Sequence, residues 1–201
     1  MQRLWRMMGG AMALALVVSA PADARKFKGE EAEKLAVAAA DYIAGIDTLT
    51  ADFDFVTASG KTHGHLFVSR EVPAIRMQFG APLNNLLFVT GNEIRVYTKD
   101  GRVIETSADG TPLGFLLNPH ESLAFNLTVL EGEERGDRVF VVLAERGNVK
   151  GGQVILQFQR EPEWKLIDWG AFDAKGQYTQ TVLGQQEFGL RLDAMLFEPP
   201  D

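Results

Sequence analysis

The sequence contains no cysteine among its 201 residues. This absence excludes a disulfide scaffold, a cysteine-ligated zinc or iron–sulfur site, and a thiol nucleophile. It also excludes the acylated N-terminal cysteine that anchors a bacterial lipoprotein to a membrane. An exported form of this chain is therefore expected to be freely soluble.

Basic residues are also scarce, with 20 Lys and Arg against 27 Asp and Glu, so the formal net charge is −7. A protein whose main partner is nucleic acid needs clustered Lys and Arg to contact phosphates, and the sequence contains no such cluster. Hydrophobic residues make up 46% of the chain, which is typical of one globular domain rather than a disordered segment.

The sequence has a single long uncharged run, Met7–Ala20, and it follows the basic residues Arg3 and Arg6. Ala22-Asp23-Ala24 then provides the small-x-small pattern that signal peptidase cleaves. An uncleaved membrane anchor is the alternative, but the run is shorter than the ~20 residues that span a bilayer. We therefore predict a cleaved signal peptide over residues 1–24, a periplasmic location, and one domain over residues 25–201.

Apolar residues at helical spacing predict one helix at the start of this domain, from Ala32 to Ile46. The pattern then alternates in the manner of a β-strand, as in Leu49–Phe55. Further short segments separated by turn residues predict a meandering antiparallel sheet that must curl or be covered. The predicted segments are Leu66–Arg70, Ala74–Phe79, Leu86–Val89, Ile94–Thr98, Val103–Thr106, Phe125–Leu130, Val139–Ala144, Val154–Phe158, Leu166–Phe172, Tyr178–Leu183 and Leu192–Phe197. The acidic run Glu131–Glu134 between them is interpreted as a solvated loop.

A short, very apolar helix interrupts the strands. Thr111 can cap its N-terminus and Pro112 suits the first helical position. The apolar residues Leu113, Phe115 and Leu116 follow before Asn118-Pro119 ends the helix. This helix is either a plug over one end of the core or a movable lid.

Residues that could support catalysis or metal binding are few. His63 and His65 would share one face of a strand, but no third ligand lies near them in the sequence, so no metal site is predicted. Asp52 and Asp54 resemble a carboxylate pair, yet they fall on the polar face of an alternating strand. The sequence also lacks the common nucleophile, phosphate-binding and dinucleotide-binding motifs. We predict neither a catalytic residue nor a cofactor.

Large apolar side chains are abundant for a domain with one sheet. They form either an ordinary packed core or the lining of a cavity for a hydrophobic ligand, and composition does not decide between the two. The residues predicted to line such a cavity are Phe53, Phe55, Met77, Phe79 and Phe88.

Several segments, taken in order, resemble the periplasmic outer-membrane lipoprotein carriers, the LolA family. They are Ile46–Phe53, Gly64–Arg70, Pro73–Phe79 with Pro82, Thr111–Leu117, Leu166–Trp169, Asp173–Gly176 and Leu196–Pro199. The resemblance implies an unclosed antiparallel β-barrel, or half-barrel, with helices as a lid over an apolar cavity. It also implies a monomeric carrier that takes lipoproteins by their acyl chains from an inner-membrane ABC transporter to an outer-membrane receptor.

The family's lid is held by a strand arginine that donates hydrogen bonds to lid carbonyls, and Arg70 matches it. The family usually places proline directly after this arginine, whereas Glu71-Val72 intervene before Pro73 here. Arg76 therefore stays open as the alternative latch. The lipid-anchored receptor shares this fold but needs an N-terminal cysteine, so the resemblance favours the soluble carrier.

The sequence is also compatible with two other functions. An exported lipid- or protein-binding sensor module could use the same fold without transporting anything, because fold does not determine function. A periplasmic enzyme could use Asp52, Asp54 or His63.

Overall fold

A computed structural model of the chain describes residues 24–173 and 175–200. Except for Ala24, the predicted signal peptide lies outside the described residues, so its cleavage stays a prediction. Twelve strands form one sheet within the described residues. They are β1 (Arg25–Phe27), β2 (Thr48–Thr57), β3 (Gly60–Ser69), β4 (Ala74–Phe79), β5 (Leu86–Thr90), β6 (Glu93–Tyr97), β7 (Val103–Ser107), β8 (Leu127–Arg135), β9 (Arg138–Glu145), β10 (Gly152–Gln159), β11 (Lys165–Asp173) and β12 (Tyr178–Phe188).

Every neighbouring pair of strands in this sheet is antiparallel. The strand order is β1-β8-β9-β10-β11-β12-β2-β3-β4-β5-β6-β7, so β1 and β7 are the two edges and do not pair with each other. The sheet curls around the helices without closing. The predicted unclosed antiparallel sheet is therefore confirmed, with its two halves joined where β12 pairs with β2.

The first helix, α1 (Glu30–Ala44), packs against the inner face of β8 and β9. Its buried side is rich in alanine, which allows the close approach seen at Gly132 of β8. An added Cβ at Gly132 would lie 2.8 Å from Leu35 of the helix. Glu30, Glu31 and Glu33 occupy the first turn, where negative charge interacts favourably with the helix dipole. The predicted opening helix is confirmed.

Four further helical segments interrupt or follow the strands within the described residues. Helix α2 (Pro112–Leu117), α3 (Pro119–Glu121) and a π-helical turn (Ser122–Asn126) run consecutively between β7 and β8. A 3₁₀ helix (Ala194–Phe197) lies near the C-terminus and contacts β4. The predicted strand over Leu192–Phe197 is therefore wrong, because this segment crosses the sheet instead of extending it.

The predicted loop at Glu131–Glu134 is also wrong. These residues belong to β8, and the first strand, β1, pairs alongside them with Arg25 opposite Glu134 and Lys26 opposite Glu133. Lys26 Nζ lies 2.9 Å from Glu131 Oε1. Pairing with a basic edge strand compensates the negative charge that made the segment look like a solvated loop.

Candidate functional site

The inner face of the sheet is apolar because successive side chains of a strand point to opposite faces. In β2, Leu49, Ala51 and Phe53 point inward and are buried, whereas the intervening Asp52 is exposed. The neighbouring strand β3 contributes Leu66 and Val68 in the same way. The alternation read from the sequence at Leu49–Phe55 therefore correctly orients β2.

Helix α2 fills the middle of this apolar interior. Thr111 caps it, since its Oγ1 accepts a hydrogen bond from Gly114 N at 3.1 Å, and Pro112 occupies the first turn. The helix contacts β4 and β5 in one half of the sheet and β10 and β11 in the other. Its residues Pro112, Leu113, Phe115, Leu116 and Leu117 are all buried. We call residues 109–126, which include α2, α3 and the π-helical turn, the lid segment.

Four of the five residues predicted to line a cavity lie on the inner face. Phe53 and Met77 are buried there, and Phe55 and Phe79 are half-buried. The Phe79 ring packs edge-on against both other rings, with centroids 5.2 Å from Phe53 and 5.4 Å from Phe55. Together with the α2 side chains, these residues belong to one packed core, so α2 occupies the space that the sequence suggested for a ligand.

The prediction that Phe88 lines the cavity is wrong, because this residue lies on the outer face of the sheet. It pairs with Arg76 across β4 and β5, whereas its neighbour Leu87 pairs with the inward-facing Met77. Arg76 Cζ stands 5.7 Å from the centre of the Phe88 ring. The side chain is only 3% exposed, so its burial arises from outer-face packing and does not place it in the interior.

Arg70, directly after β3, connects the sheet to both α1 and α2. Its Nη2 donates to the carbonyl oxygen of Leu116 at 2.6 Å and to that of Ile43 at 3.0 Å. Nη1 donates to the Leu117 carbonyl, and Nε donates to the Ile46 carbonyl at 3.3 Å. Partial burial lowers the pKa of the guanidinium from its ordinary value, although an arginine stays charged under all relevant conditions.

Three of the four acceptors, Ile43, Leu116 and Leu117, are carbonyls in the last turn of α1 or α2. The last carbonyls of a helix have no partner within it, and a guanidinium provides five donors in one plane. Arg70 therefore satisfies the C-terminal ends of α1 and α2 simultaneously. Arg76, the alternative from the sequence, instead donates from Nη1 to the Leu196 carbonyl of the C-terminal segment at 3.0 Å.

The candidate catalytic residues lie on the outer face of β2 and β3. Asp52 is opposite His65, and Asp54 is opposite His63. His65 Nδ1 lies 2.7 Å from Asp52 Oδ1, and His63 contacts Asp54. A hydrogen bond from Lys61 is the main cause that lowers the pKa of the Asp54 carboxyl.

These four side chains line part of an open groove of about 620 Å³. Within the described residues, no group of three or more His, Asp or Glu side chains is arranged to hold a metal ion. Each histidine is paired with one aspartate on a solvated surface.

The ends of the lid segment are held by residues that the sequence did not single out. Asp109 Oδ1 accepts a hydrogen bond from Asn126 Nδ2, and its Oδ2 accepts one from Asn92 Nδ2, each at 2.7 Å. At the other end, Arg146 Nη2 donates to the carbonyls of Leu123 and Leu127 at 2.9 and 2.8 Å. In the sequence, the turn residues Asp109-Gly110 before Thr111 indicate where the first end lies. They do not indicate its partners Asn92 and Asn126, because both are distant along the chain.

Comparison with known proteins gives one family and several structures of the same fold. The family model described as "Outer membrane lipoprotein carrier protein LolA" matches residues 44–200. The fold is similar to that of an uncharacterized conserved protein from Thermus thermophilus, with a TM-score of 0.51 and 10% identity over 85% of this chain and 95% of that chain. A DUF1329 family protein from Desulfovibrio piger matches with a TM-score of 0.51 and 9% identity over 84% of this chain and 96% of that one. No curated protein sequence matches the chain significantly.

An open antiparallel sheet that curls around an apolar helix defines the class as a half-barrel with an internal helical segment. The family match extends from the last residue of α1 nearly to the end of the chain. This protein therefore belongs to the LolA family of outer membrane lipoprotein carrier proteins. In the part of the chain that the structure describes, none of the helices has the length and apolarity to cross a bilayer.

Proposed function

We propose that this protein is a periplasmic carrier that binds the acyl chains of lipoproteins between the inner face of its sheet and the lid segment. It takes this cargo from an inner-membrane ABC transporter to an outer-membrane receptor and performs no covalent chemistry. The observation that carries the proposal is the set of Arg70 hydrogen bonds to the Leu116 and Leu117 carbonyls. Membership of the LolA family supports the same conclusion.

The interior suits an acyl chain because α2 fills it with removable apolar side chains. Leu113, Phe115 and Leu116 pack against both halves of the sheet and are almost completely buried. Moving α2 outward would expose the apolar inner face, and each methylene of an acyl chain that covers it recovers about 0.8 kcal/mol. The closed state also hides an apolar surface that would otherwise adhere to membranes.

Arg70 determines how easily an acyl chain replaces α2 in the interior. Its bonds to the ends of α1 and α2 exist in the closed state, and outward movement of α2 must break those to Leu116 and Leu117. A hydrogen bond to a charged group contributes roughly 1.5–3 kcal/mol. Closure by Arg70 therefore opposes cargo binding and assists release, since a ligand shifts such an equilibrium only by its differential affinity for the two states.

The test is release of lipoproteins from spheroplasts by the purified protein, followed by transfer to outer membranes. We expect wild-type protein to yield a soluble one-to-one complex that passes its cargo on. Arg70→Leu should form the same complex but transfer it poorly, because its closed state no longer competes with bound cargo. Arg76→Leu is the matched control, since Arg76 contacts the C-terminal segment instead of the lid segment, and it should transfer normally.

Two outcomes would contradict the proposal. If Arg70→Leu transfers cargo at the wild-type rate, Arg70 is not the latch. If the folded wild-type protein releases no lipoprotein, transport is wrong, and an exported lipid- or protein-binding sensor module of the same fold becomes the better explanation.

A further inference from the structure

The two ends of the lid segment meet at one carboxylate. Asp109, its first residue, accepts a hydrogen bond from Asn126, its last residue, and another from Asn92 in the turn between β5 and β6. Both distances are 2.7 Å. A single side chain thus joins the beginning of the segment, its end and the sheet, and an ionised acceptor strengthens both bonds.

Backbone contacts fix the first end at the same place. Ala108 N donates to the Asn92 carbonyl at 3.0 Å, and Asp109 N donates to Ser107 Oγ at 3.1 Å. Gly114 of α2 packs so closely on Ala108 that an added Cβ would lie 2.1 Å from the Ala108 oxygen. The start of α2 therefore rests on this end and has little freedom to separate from it.

The second end is fixed to β9. Arg146 N donates to the Asn126 carbonyl at 2.8 Å, and the Arg146 side chain bonds the carbonyls on both sides of it. The bonds of Arg70 lie between these two ends, at Leu116 and Leu117. The lid segment is thus held at both ends and, between them, by Arg70 and by the contact of His120 Nε2 with Asp41 Oδ1 of α1 at 3.4 Å. Of these contacts, the Arg70 bonds have to break for α2 to leave the interior.

We infer that Asp109 is a positioning residue that holds the two ends of the lid segment together, so that the segment opens as one unit when Arg70 releases it. This inference rests on the proposed function, in which the lid segment must open. Without this joint, the first end would be held only by its backbone contacts and the second only by Arg146, so the two ends could move independently when α2 leaves the interior. The pair of bonds keeps the open segment close to its closed position.

Hydrogen exchange of the lid amides in the purified, lipid-free protein tests this inference. We expect Asp109→Ala to raise exchange over residues 113–126 roughly threefold to tenfold, as the loss of one or two exposed hydrogen bonds implies. It should also make the exchange rates of α2 and the π-helical turn differ from each other, because the two parts would then open independently. Asp100→Ala is the matched control, because Asp100 is an exposed aspartate bonded only within the turn between β6 and β7 among the described contacts.

An exchange of the two side chains distinguishes positioning from a general loss of stability. In the double variant Asp109→Asn with Asn126→Asp, the new amide at position 109 can donate to the new carboxylate and still accept from Asn92. We expect this variant to return lid exchange to within about twofold of wild type, since both bonds can re-form. Wild-type exchange in Asp109→Ala, or no recovery in the folded double variant, would overturn the inference.

A separate measurement with a fluorescent fatty acid identifies which idea fails. If Asp109→Ala alters lid exchange but the wild-type protein binds no fatty acid, the proposed function is wrong and the role of Asp109 stands. If fatty acid binds normally and lid exchange does not respond to Asp109→Ala, the role of Asp109 is wrong and the carrier proposal stands.

Discussion

Phe53 and Gly64 lie directly opposite each other in the β2–β3 pair, and the Phe53 ring occupies the space beside the glycine Cα. A Cβ at position 64 would lie 2.3 Å from Phe53 Cζ and 2.5 Å from the Gln78 carbonyl oxygen. Because Phe79 pairs with Gly64 from the other side, the two rings meet above this position at a centroid distance of 5.2 Å. The absence of a side chain here allows the aromatic cluster to form.

We therefore expect Gly64→Ala to lower the free energy of unfolding by about 1–3 kcal/mol, the usual cost of overpacking. Gly184→Ala is the control, because the Cβ it adds would meet only ordinary contacts, at 3.5 Å from Asp52. Urea denaturation measures both. Equal stability of the two variants would show that the Phe53 ring moves aside at little cost.

The lid segment contains two phenylalanines in opposite environments. Phe115 is fully buried, whereas Phe125 is 71% exposed. With the lid closed, Phe115→Ala should cost about 3–5 kcal/mol, and Phe125→Ala should fall within about 0.5 kcal/mol of wild type. Urea denaturation of the two variants tests whether α2 lies in the interior in solution. A neutral Phe115→Ala would mean that the lid segment is open without cargo.

Two further phenylalanines distinguish the faces of the sheet. Phe79 lies on the inner face and Phe88 on the outer face. If acyl chains bind inside, Phe79→Ala should weaken binding of a fluorescent fatty acid roughly tenfold, since burial of a large apolar side chain contributes about 1.5–3 kcal/mol. Phe88→Ala should lower stability but leave the affinity within about twofold. The reverse order of affinities would place the ligand on the outer face.

Asp168 makes stability depend on pH. It is buried on β11, and burial raises the pKa of its carboxyl to about 6, with opposing contributions from Gln180 and Arg138. A group whose pKa is raised by folding binds more protons in the native state between its unfolded and folded pKa values. The free energy of unfolding should therefore rise, through this group, as the pH falls from 7 towards 4.

Replacement of this carboxyl should remove the effect. We expect Asp168→Asn to be more stable than wild type at pH 7 by about 1–3 kcal/mol, with the difference shrinking by pH 4.5. Urea denaturation at both pH values measures it, and the exposed Asp47→Asn serves as the control. A variant that is less stable at pH 7 would show that the interactions of the carboxylate with Gln180 and Arg138 outweigh its burial.

The sequence by itself determined those regular elements that carry a clear local pattern, because hydrophobic periodicity reflects which side of an element is buried. The stripe from Ala32 to Ile46 defines α1, and the alternation at Leu49–Phe55 defines both β2 and its inner face. Thr111-Pro112 likewise marks the start of α2. Each of these signals lies within a few consecutive residues, so it needs no knowledge of distant partners.

Only the tertiary structure decided the features that depend on pairing between distant segments. The run Leu86–Val89 is apolar without alternation, so only its register against β4 shows that Phe88 faces outward. Pairing with β1 makes a strand of Glu131–Glu134. The residues next to Arg70 and Arg76 in the sequence do not show which of the two is the latch. In the folded chain Arg70 reaches carbonyls of the lid segment, whereas Arg76 reaches a carbonyl of the C-terminal segment. The sequence does not show which residues accept hydrogen bonds from a long side chain through their backbone, because every residue has the same carbonyl.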